Sequence, residues 1–215
     1  MSPPVPRVDP VTGEKYYTSE DAMNLLPKDY EEWIYSNKTE HVDEVRLYAS
    51  KFWNIVLTKS PPFLPLTRFY CACIGLVLWF PCEYLFHRFL FHLPVTGRNS
   101  QKFHLFLHGI HHLAPKDLWH VFSPVHELGV QALAVGLFFW LIGLPDPVAT
   151  MSGLLLNYMR YGSIHYCIHA YTPKQLSKIP FIGNYLKQCA IHHRTHHFVY
   201  PKKHFTISFV SSLVD

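Results

Sequence analysis

Apolar residues gather into three long runs between residues 66 and 171. The first extends from Leu66 to Phe91 and is preceded by Pro61 and Pro65, the second from Leu128 to Leu144, and the third from Val148 to about Tyr171. A helix needs about 20 apolar residues to cross the hydrocarbon core of a bilayer. The first run is therefore long enough to span, and the other two predict a helical hairpin closed by a proline-rich break.

The first and third runs become polar towards their C-terminal ends. The first acquires Glu83, His87 and Arg88, and the third ends with His165 and His169. Polar side chains in an apolar helix are costly unless they pair with each other or face water or a metal. The runs therefore predict an all-α integral membrane protein whose helices carry functional side chains near the membrane surface.

The sequence predicts two regions, a polar N-terminal extension over residues 1–60 and a membrane-embedded domain over residues 61–215. Residues 1 to about 20 are rich in proline and are predicted to be disordered. Ser19, followed by two acidic residues, is predicted to cap a short helix. Residues from about Asp29 to Lys51 predict an amphipathic helix, lying on a membrane surface, packed on a cap domain or forming a soluble extension.

Charge is distributed unequally between these two regions. Residues 1–60 carry ten acidic and seven basic side chains, whereas residues 61–215 carry five acidic and twelve basic ones. A basic excess beside apolar segments suits anionic cytoplasmic headgroups. Nucleic acid is not an expected partner, because the longest basic run is Lys202–Lys203. The five cysteines have no CxxC spacing and predict no disulfide framework or thiolate zinc finger, and the N-terminus predicts no signal peptide.

Histidine is the most informative residue type in this chain. There are sixteen histidines in 215 residues, and only His41 precedes Pro61. Ten of them form four clusters with the spacings HxxxxH, HxxHH, HxxxH and HxxHH. The second cluster is preceded by His104, which extends its spacing to HxxxHxxHH. These ten are the predicted metal ligands: His87, His92, His108, His111, His112, His165, His169, His193, His196 and His197.

The spacing within the clusters suits two metal ions. Residues four apart on a helix have Cβ atoms about 5–6 Å apart, so His108 and His112 can share one ion. Adjacent residues point about 100° apart, so His111 and His112 can serve different ions, as can His196 and His197. Neutral imidazole is a ligand for iron, zinc, copper and nickel.

The other histidines and two carboxylates have less specific interpretations. His104 lies one turn before the second cluster and is expected to contact its ligands from behind. Glu83 and Asp117 are either acceptors for a ligand ring N–H or ordinary interfacial charges. Isolated histidines are predicted to lie at the surface, and His192 is placed just outside the last cluster. The isolated set is His41, His120, His126 and His204.

The clusters and the strings EYLFHRFLFH, HGIHHLAPKD and HHRTHHF resemble the fatty acid 2-hydroxylases of the fatty acid hydroxylase and sterol desaturase superfamily. The resemblance runs from about Cys82 to the C-terminus. It implies transmembrane helices topped by a cytosolic histidine-rich helical cap, in a multi-pass protein of the endoplasmic reticulum membrane with its metal site on the cytosolic face. The ten clustered histidines would hold two iron ions, with zinc possible in isolated protein.

The activity implied by the resemblance is hydroxylation of a fatty acyl chain at C2 with O2, feeding the synthesis of 2-hydroxy sphingolipids. Electrons would come from cytochrome b5 and its NADPH-dependent reductase. No HPGG haem motif occurs in this sequence, so the cytochrome is expected to act in trans.

The chain departs from the family pattern in several places, and two of these departures keep alternatives open. Tyr161–Gly162 stands where the family has Tyr-Asp, and three apolar runs occur where four are usual. The alternatives are a sterol or other lipid oxidase of the same superfamily and a catalytically inactive truncated isoform. A zinc-storing or zinc-transporting protein is disfavoured, because the clusters are nearly pure histidine.

Overall fold

The computed structural model describes residues 4–8, 13, 15–36, 41–43, 65–122 and 125–208. These residues are mostly helical. The chain divides into two compact units, each formed by separated segments. The first contains Met1–Val45, Glu83–Phe122 and Ser163–Asp215, and the second contains Arg46–Cys82 and Ser123–Gly162.

A small three-stranded sheet lies near the start of the first unit. Strand β1 (Arg7–Val8) pairs antiparallel with β2 (Lys15–Thr18), and β3 (His41–Asp43) pairs with β2 in parallel. The sheet is a departure from the predicted all-α class. Strands β1 and β2 occur in the proline-rich region where the sequence predicted disorder, and β3 replaces part of the helix predicted from about Asp29 to Lys51. Such short strands leave little periodic signal.

Helix α1 (Ser19–Met23) follows β2 directly. Its N-cap is Thr18 and not the predicted Ser19. The Thr18 hydroxyl accepts a hydrogen bond from the Asp21 amide, and the Asp21 carboxylate accepts one from the Thr18 amide, which is a capping box. Near the end of α1, the side-chain Nε2 of Gln101 donates to the backbone carbonyl of Ala22 at 2.7 Å.

Helix α2 (Pro27–Ser36) packs into the core of the first unit. Tyr30, Trp33 and Ile34 share one face at helical spacing and are almost completely buried. Residues 27–36 pack on other helices of the same unit, which corresponds to the predicted packing on a cap domain. Residues 41–43 form strand β3 and not the predicted helix, and residues 37–40 and 44–51 lie outside the described residues. The core that contains α2 also includes Leu105, Ile110, Leu113 and Ala114.

The first unit contains the segments that carry the histidine clusters. The helical segments are a π-helical turn over Phe86–Phe91, α4 (Arg98–His104), a second π-helical turn over Leu105–Gly109, α5 (Ile110–Leu113) and a 3₁₀ turn over Leu118–His120. Further along the chain come α8 (Pro173–Leu176) and α9 (Gly183–Phe198).

The three apolar runs form the three long helices α3 (Pro65–Leu85), α6 (Val125–Leu141) and α7 (Pro147–Ala170). Among the described residues, one helical stretch, Pro65–Phe91, is long and apolar enough to cross a membrane, and Leu128–Leu141 is a shorter apolar helix. The predicted hairpin break is also present, since α6 ends at Leu141 and α7 begins at Pro147.

Backbone hydrogen bonds explain why α6 ends where it does. Gly143 adopts a φ of 72°, its amide donates to Trp140, and the amide of Leu144 donates to Phe139. These two bonds form a Schellman motif, in which glycine tolerates the left-handed conformation. Asp146 then caps α7, because its carboxylate accepts from the amide of Ala149 at 2.9 Å.

Candidate metal centre

A π-helical turn brings the first two clustered histidines together. In an α-helix, residues five apart would point about 140° away from each other. Here the amide of His92 donates to the carbonyl of His87 at 3.1 Å, which is the i→i+5 hydrogen bond of a π-helix. His87 and His92 therefore lie on the same side of the turn, so two histidines with HxxxxH spacing can face the same site.

The structure brings all ten clustered histidines into two groups of five. Within each group, one ring nitrogen from each histidine lies within 4.8 Å of all the others. The adjacent pairs are split as their 100° separation predicts: His111 and His112 fall in different groups, and so do His196 and His197. Group one is His87, His92, His108, His112 and His196; group two is His111, His165, His169, His193 and His197.

The Nε2 atoms in group one are spaced at about 3 Å. The His87 and His108 atoms are 3.0 Å apart, and the His196 atom lies 3.1 Å from those of both His92 and His112. Two nitrogens bound at about 2.1 Å to one ion are about 3.0 Å apart when they subtend a right angle, and about 3.4 Å apart in a tetrahedron. The spacing fits neighbouring ligands of a five- or six-coordinate ion.

Group two converges even more closely. The Nε2 atom of His193 is 2.9 Å from those of His165 and His169 and 3.0 Å from that of His197, while His165 and His169 are 3.1 Å apart. A neutral imidazole nitrogen offers either one proton or one lone pair. Three mutually close nitrogens cannot satisfy one another by hydrogen bonds alone, but three lone pairs can share a cation.

His111 supplies independent support for a cation in group two. Its side chain is 3% exposed, and among the described residues neither of its ring nitrogens has a hydrogen-bond partner. A buried polar group left without a partner is costly. The donor set therefore fits a metal ion, which would satisfy the His111 nitrogen that faces the group.

Burial keeps these imidazoles in the neutral form that binds metals. Desolvation holds the pKa of His108, His111, His193 and His197 well below the ordinary histidine value, and neighbouring imidazoles lower it further. Near pH 7 each of these rings therefore keeps a lone pair available for coordination.

Hydrogen bonds to the outer ring nitrogens orient the ligands of group one. The Nδ1 atom of His87 lies 2.5 Å from the carbonyl oxygen of Phe205, and that of His196 lies 2.7 Å from the carbonyl oxygen of Lys203. A carbonyl oxygen only accepts, so Nδ1 carries the proton in both rings and Nε2 carries the lone pair. In group two, His169 similarly hydrogen-bonds the backbone of Pro115.

His92 is held by a tyrosine from the N-terminal helix α2. The hydroxyl of Tyr35 lies 2.9 Å from Nδ1 of His92 and 2.9 Å from Nε2 of His104, and the hydroxyl of Tyr30 lies 2.9 Å from Nδ1 of His104. His104 thus contacts the ligands from behind, through Tyr35. No sequence signal identified Tyr35, since it lies 57 residues before His92.

If Nε2 of His92 faces a metal, the proton positions in this chain are determined. Nδ1 of His92 then donates to Tyr35, whose hydroxyl donates to His104, whose Nδ1 donates to Tyr30. Burial raises the pKa of both Tyr30 and Tyr35 and lowers that of His104 to about 4, so every member is neutral. The four groups can therefore form one continuous hydrogen-bonded chain.

The two carboxylates with open interpretations have structural partners. Glu83 is 3% exposed and accepts hydrogen bonds from the amides of Ile207 at 2.5 Å and Ser208 at 2.8 Å. Glu83 thereby fixes the segment whose Phe205 carbonyl orients His87. Asp117 caps the 3₁₀ turn and lies 3.0 Å from Nδ1 of His120.

The remaining histidines lie outside both five-histidine groups. The rings of His192 and His204 are 4.6 Å apart, and His192 Nε2 lies 3.4 Å from the hydroxyl of Thr206. His41 belongs to β3, and the side chains of His41 and His126 are not among those the structure describes.

Comparison with known proteins identifies the family of the chain. The family model for the fatty acid hydroxylases matches residues 72–215, so the chain belongs to the fatty acid hydroxylase family. It is 35% identical over 185 residues to the fatty acid 2-hydroxylase of Rattus norvegicus, covering 83% of this chain and 46% of that protein. The chain thus spans about half the length of the mammalian relatives that it matches.

A plant protein and a solved structure extend the comparison. The chain is 26% identical over 213 residues to a dihydroceramide fatty acyl 2-hydroxylase of Arabidopsis thaliana, covering 88% of this chain and 85% of that one. A structure of full-length scs7p, in which only the hydroxylase domain is visible, aligns with a TM-score of 0.59 and 24% identity, covering 74% of this chain and 57% of that chain. At that identity the structural likeness supports the fold alone.

Proposed function

We propose that this chain hydroxylates fatty acyl chains at C2, using O2 and two metal ions held by the ten clustered histidines. The observation that carries this proposal is the convergence of these histidines into two groups of five with Nε2 atoms about 3 Å apart. Membership of the fatty acid hydroxylase family supports the reaction class. The relatives named fatty acid 2-hydroxylase and dihydroceramide fatty acyl 2-hydroxylase support the position of attack.

Iron is the metal that we propose for both groups. Five nitrogen donors per group, at spacings that suit right angles, favour a five- or six-coordinate redox metal over four-coordinate zinc. Zinc binds the same donors and can occupy them in isolated protein. An unactivated C–H bond is beyond side-chain acid or base chemistry, so bound iron and O2 would supply the oxidising chemistry.

The chain's own residues would bind the metal ions, orient the histidine ligands and shield them from water. Carbonyl acceptors hold the outer nitrogens of His87 and His196, which keeps their Nε2 atoms directed into group one. The ring of Phe91 stacks on His108 with centroids 5.4 Å apart, and the buried ring of Phe205 lies 5.3 Å from that of His92. These apolar rings limit water around the ligands, which protects an oxidant from side reactions.

The partners and location belong to the same proposal. The substrate is a fatty acyl chain, whose 2-hydroxy product would enter sphingolipids, and electrons would come from cytochrome b5 and its NADPH-dependent reductase. We place the protein in the endoplasmic reticulum membrane as a multi-pass protein with its metal centre on the cytosolic side. The helical stretch Pro65–Phe91 supports a membrane location.

Expression in cells that lack their own 2-hydroxylase tests the proposal. Supplying ¹⁸O₂ should place label in the C2 hydroxyl of sphingolipid fatty acids, and His108→Ala should abolish the product, whereas His204→Ala should not. Label arriving from water would exclude an oxygenase. Absence of product from metal-loaded protein supplied with cytochrome b5 and reductase would overturn the proposed activity and favour an inactive isoform, with Gly162 as the first position to examine.

A further inference from the structure

A fully exposed aromatic side chain stands at the turn between α8 and α9. Phe181 is exposed as completely as a residue in an extended chain, at 107%, and its backbone has a φ of 63°. The amide of Ile182 donates to the carbonyl of Pro180 at 2.7 Å, so Phe181 is the central residue of a three-residue turn. A bulky side chain with positive φ is rare and costs free energy, so the surrounding structure must hold it there.

The structure on both sides of the turn is well fixed. A capping box between Thr172 and Gln175 begins α8, and Leu176 is fully buried. A Cβ atom on Gly183 would lie 2.7 Å from the carbonyl oxygen of Leu176, so only glycine permits this approach of α9 to α8. The amide of Gly183 also donates to the carbonyl of Ile179 at 2.9 Å. Phe181 is therefore presented to solvent by a rigid support.

The segment of chain that bears the turn carries charge of one sign. No aspartate or glutamate occurs between Asp146 and Asp215, and the segment that bears the turn carries Lys174 and Lys178, both exposed. Ile179 and Ile182, on either side of the tip, are themselves 39% and 51% exposed. Apolar side chains at a projecting tip with lysines beside them suit a lipid membrane, which combines anionic headgroups with a fluid apolar interior.

We propose that the turn Ile179–Ile182 inserts Phe181 into the headgroup boundary of an anionic membrane, with Lys174 and Lys178 contacting lipid phosphates. Aromatic side chains concentrate at this depth of a bilayer, and lysines are attracted to anionic leaflets. A single projecting ring needs no complementary pocket in a fluid lipid phase, which favours lipid over a protein partner. This inference rests on the proposed membrane location.

A local depth measurement tests the proposal on the full chain. A nitroxide would be attached at position 181 through a non-natural azide residue, leaving the native cysteines in place, and the protein reconstituted in nanodiscs. We expect collisions with O2 to exceed those with a water-soluble nickel chelate, and the difference to be larger in discs with phosphatidylserine than in pure phosphatidylcholine. The control position is Gln188, exposed on α9, where the nickel chelate should dominate.

Lys174→Gln with Lys178→Gln should remove the dependence on phosphatidylserine while leaving the metal content unchanged. Equal nickel accessibility at positions 181 and 188 in both kinds of disc would overturn the proposal. Protection of position 181 only after addition of the soluble domain of cytochrome b5 would overturn it in favour of a protein contact. Failure of the chain to enter nanodiscs would overturn the membrane location as well, whereas the other outcomes leave the proposed activity standing.

Discussion

The phenol of Tyr35 stands between two imidazoles, one in group one and one behind it. Replacing it by Tyr35→Phe removes the acceptor for Nδ1 of His92 and the donor to His104 without changing the ring. Loss of such outer hydrogen bonds typically lowers metal affinity about 10- to 100-fold. We expect this loss for one of the two ions, measured by competition with a chromophoric chelator.

Tyr16→Phe, on strand β2, is the matched control and should leave both affinities unchanged. An equal loss at both ions, or from both variants, would show that the Tyr35 hydroxyl does not act through His92.

His104 gives a second residue-scale prediction, for pH. Burial lowers its pKa from 6.5 to about 4, so the unfolded chain binds its proton more tightly than the folded one. The stability that depends on neutral His104 is complete above about pH 6.5 and is lost as pH falls towards 4, by about 3 kcal/mol in total.

His104→Gln removes this titration, so the stability difference between the native protein and the variant should shrink over that pH range. Chemical denaturation of both proteins after metal removal measures it, because ligand protonation then affects both alike. A difference that stays constant from pH 7.5 to 4.5 would contradict the buried neutral state of His104.

At the residue scale, the sequence predicted the clustered histidines better than it predicted the groups that hydrogen-bond their outer ring nitrogens. The i+4 spacing predicted that His108 and His112 can share an ion, and the 100° rule predicted that adjacent histidines can serve different ions; the structure groups these residues accordingly. The contributions of Tyr35 and of the Phe205 carbonyl had no signal. The first lies far along the chain, and a backbone carbonyl is the same for every residue type.

The helices α3 and α7 approach each other through glycine. A Cβ atom on Gly153 would meet the carbonyl oxygen of Ala72, and one on Gly75 would meet that of Thr150. Small residues allow such close backbone approach between apolar helices. Gly153→Ala should therefore force the helices apart and lower the free energy of unfolding by about 1–3 kcal/mol.

Gly136→Ala on α6 is the matched control, since its new methyl group would meet only Met151 at an ordinary 3.6 Å. There, alanine should raise helix stability by about 0.5–1 kcal/mol. Thermal unfolding in detergent distinguishes the two signs, and equal shifts would mean that the approach of α3 and α7 does not limit stability.

Elements with strong periodicity or long apolar runs were predictable, and short ones were not. The three apolar runs correspond to α3, α6 and α7, and the break before Pro147 lies where the sequence places it. The strands β1 to β3 are two to four residues long and were missed. The π-helical turn at Phe86–Phe91 also escaped prediction, because the composition of a π turn is that of an α-helix.

At the scale of the whole molecule, bound metal should contribute to folding. Ten imidazoles converge, eight of them in buried positions, and without a cation their ring nitrogens face one another. A ligand that binds only the folded state stabilises it by mass action. Removing metal with a chelator should lower the midpoint of thermal unfolding, and re-adding Fe(II) anaerobically should restore it; an unchanged midpoint would contradict a structural contribution.

The two groups also predict how metal is lost when single ligands are removed. His196 and His197 are adjacent in sequence but belong to different groups, so His196→Ala and His197→Ala should each lower the metal content from about two ions to about one under chelator competition. His204→Ala should retain both ions.

Combination with Tyr35→Phe identifies which ion is lost. Because Tyr35 supports His92 in group one, adding Tyr35→Phe to His196→Ala should remove little more metal, whereas adding it to His197→Ala should weaken the ion that remains. Metal analysis of the four proteins by mass spectrometry, at one chelator concentration, measures this pattern. Complete loss of both ions from either single alanine variant would instead mean that the ten histidines act as one shared cluster.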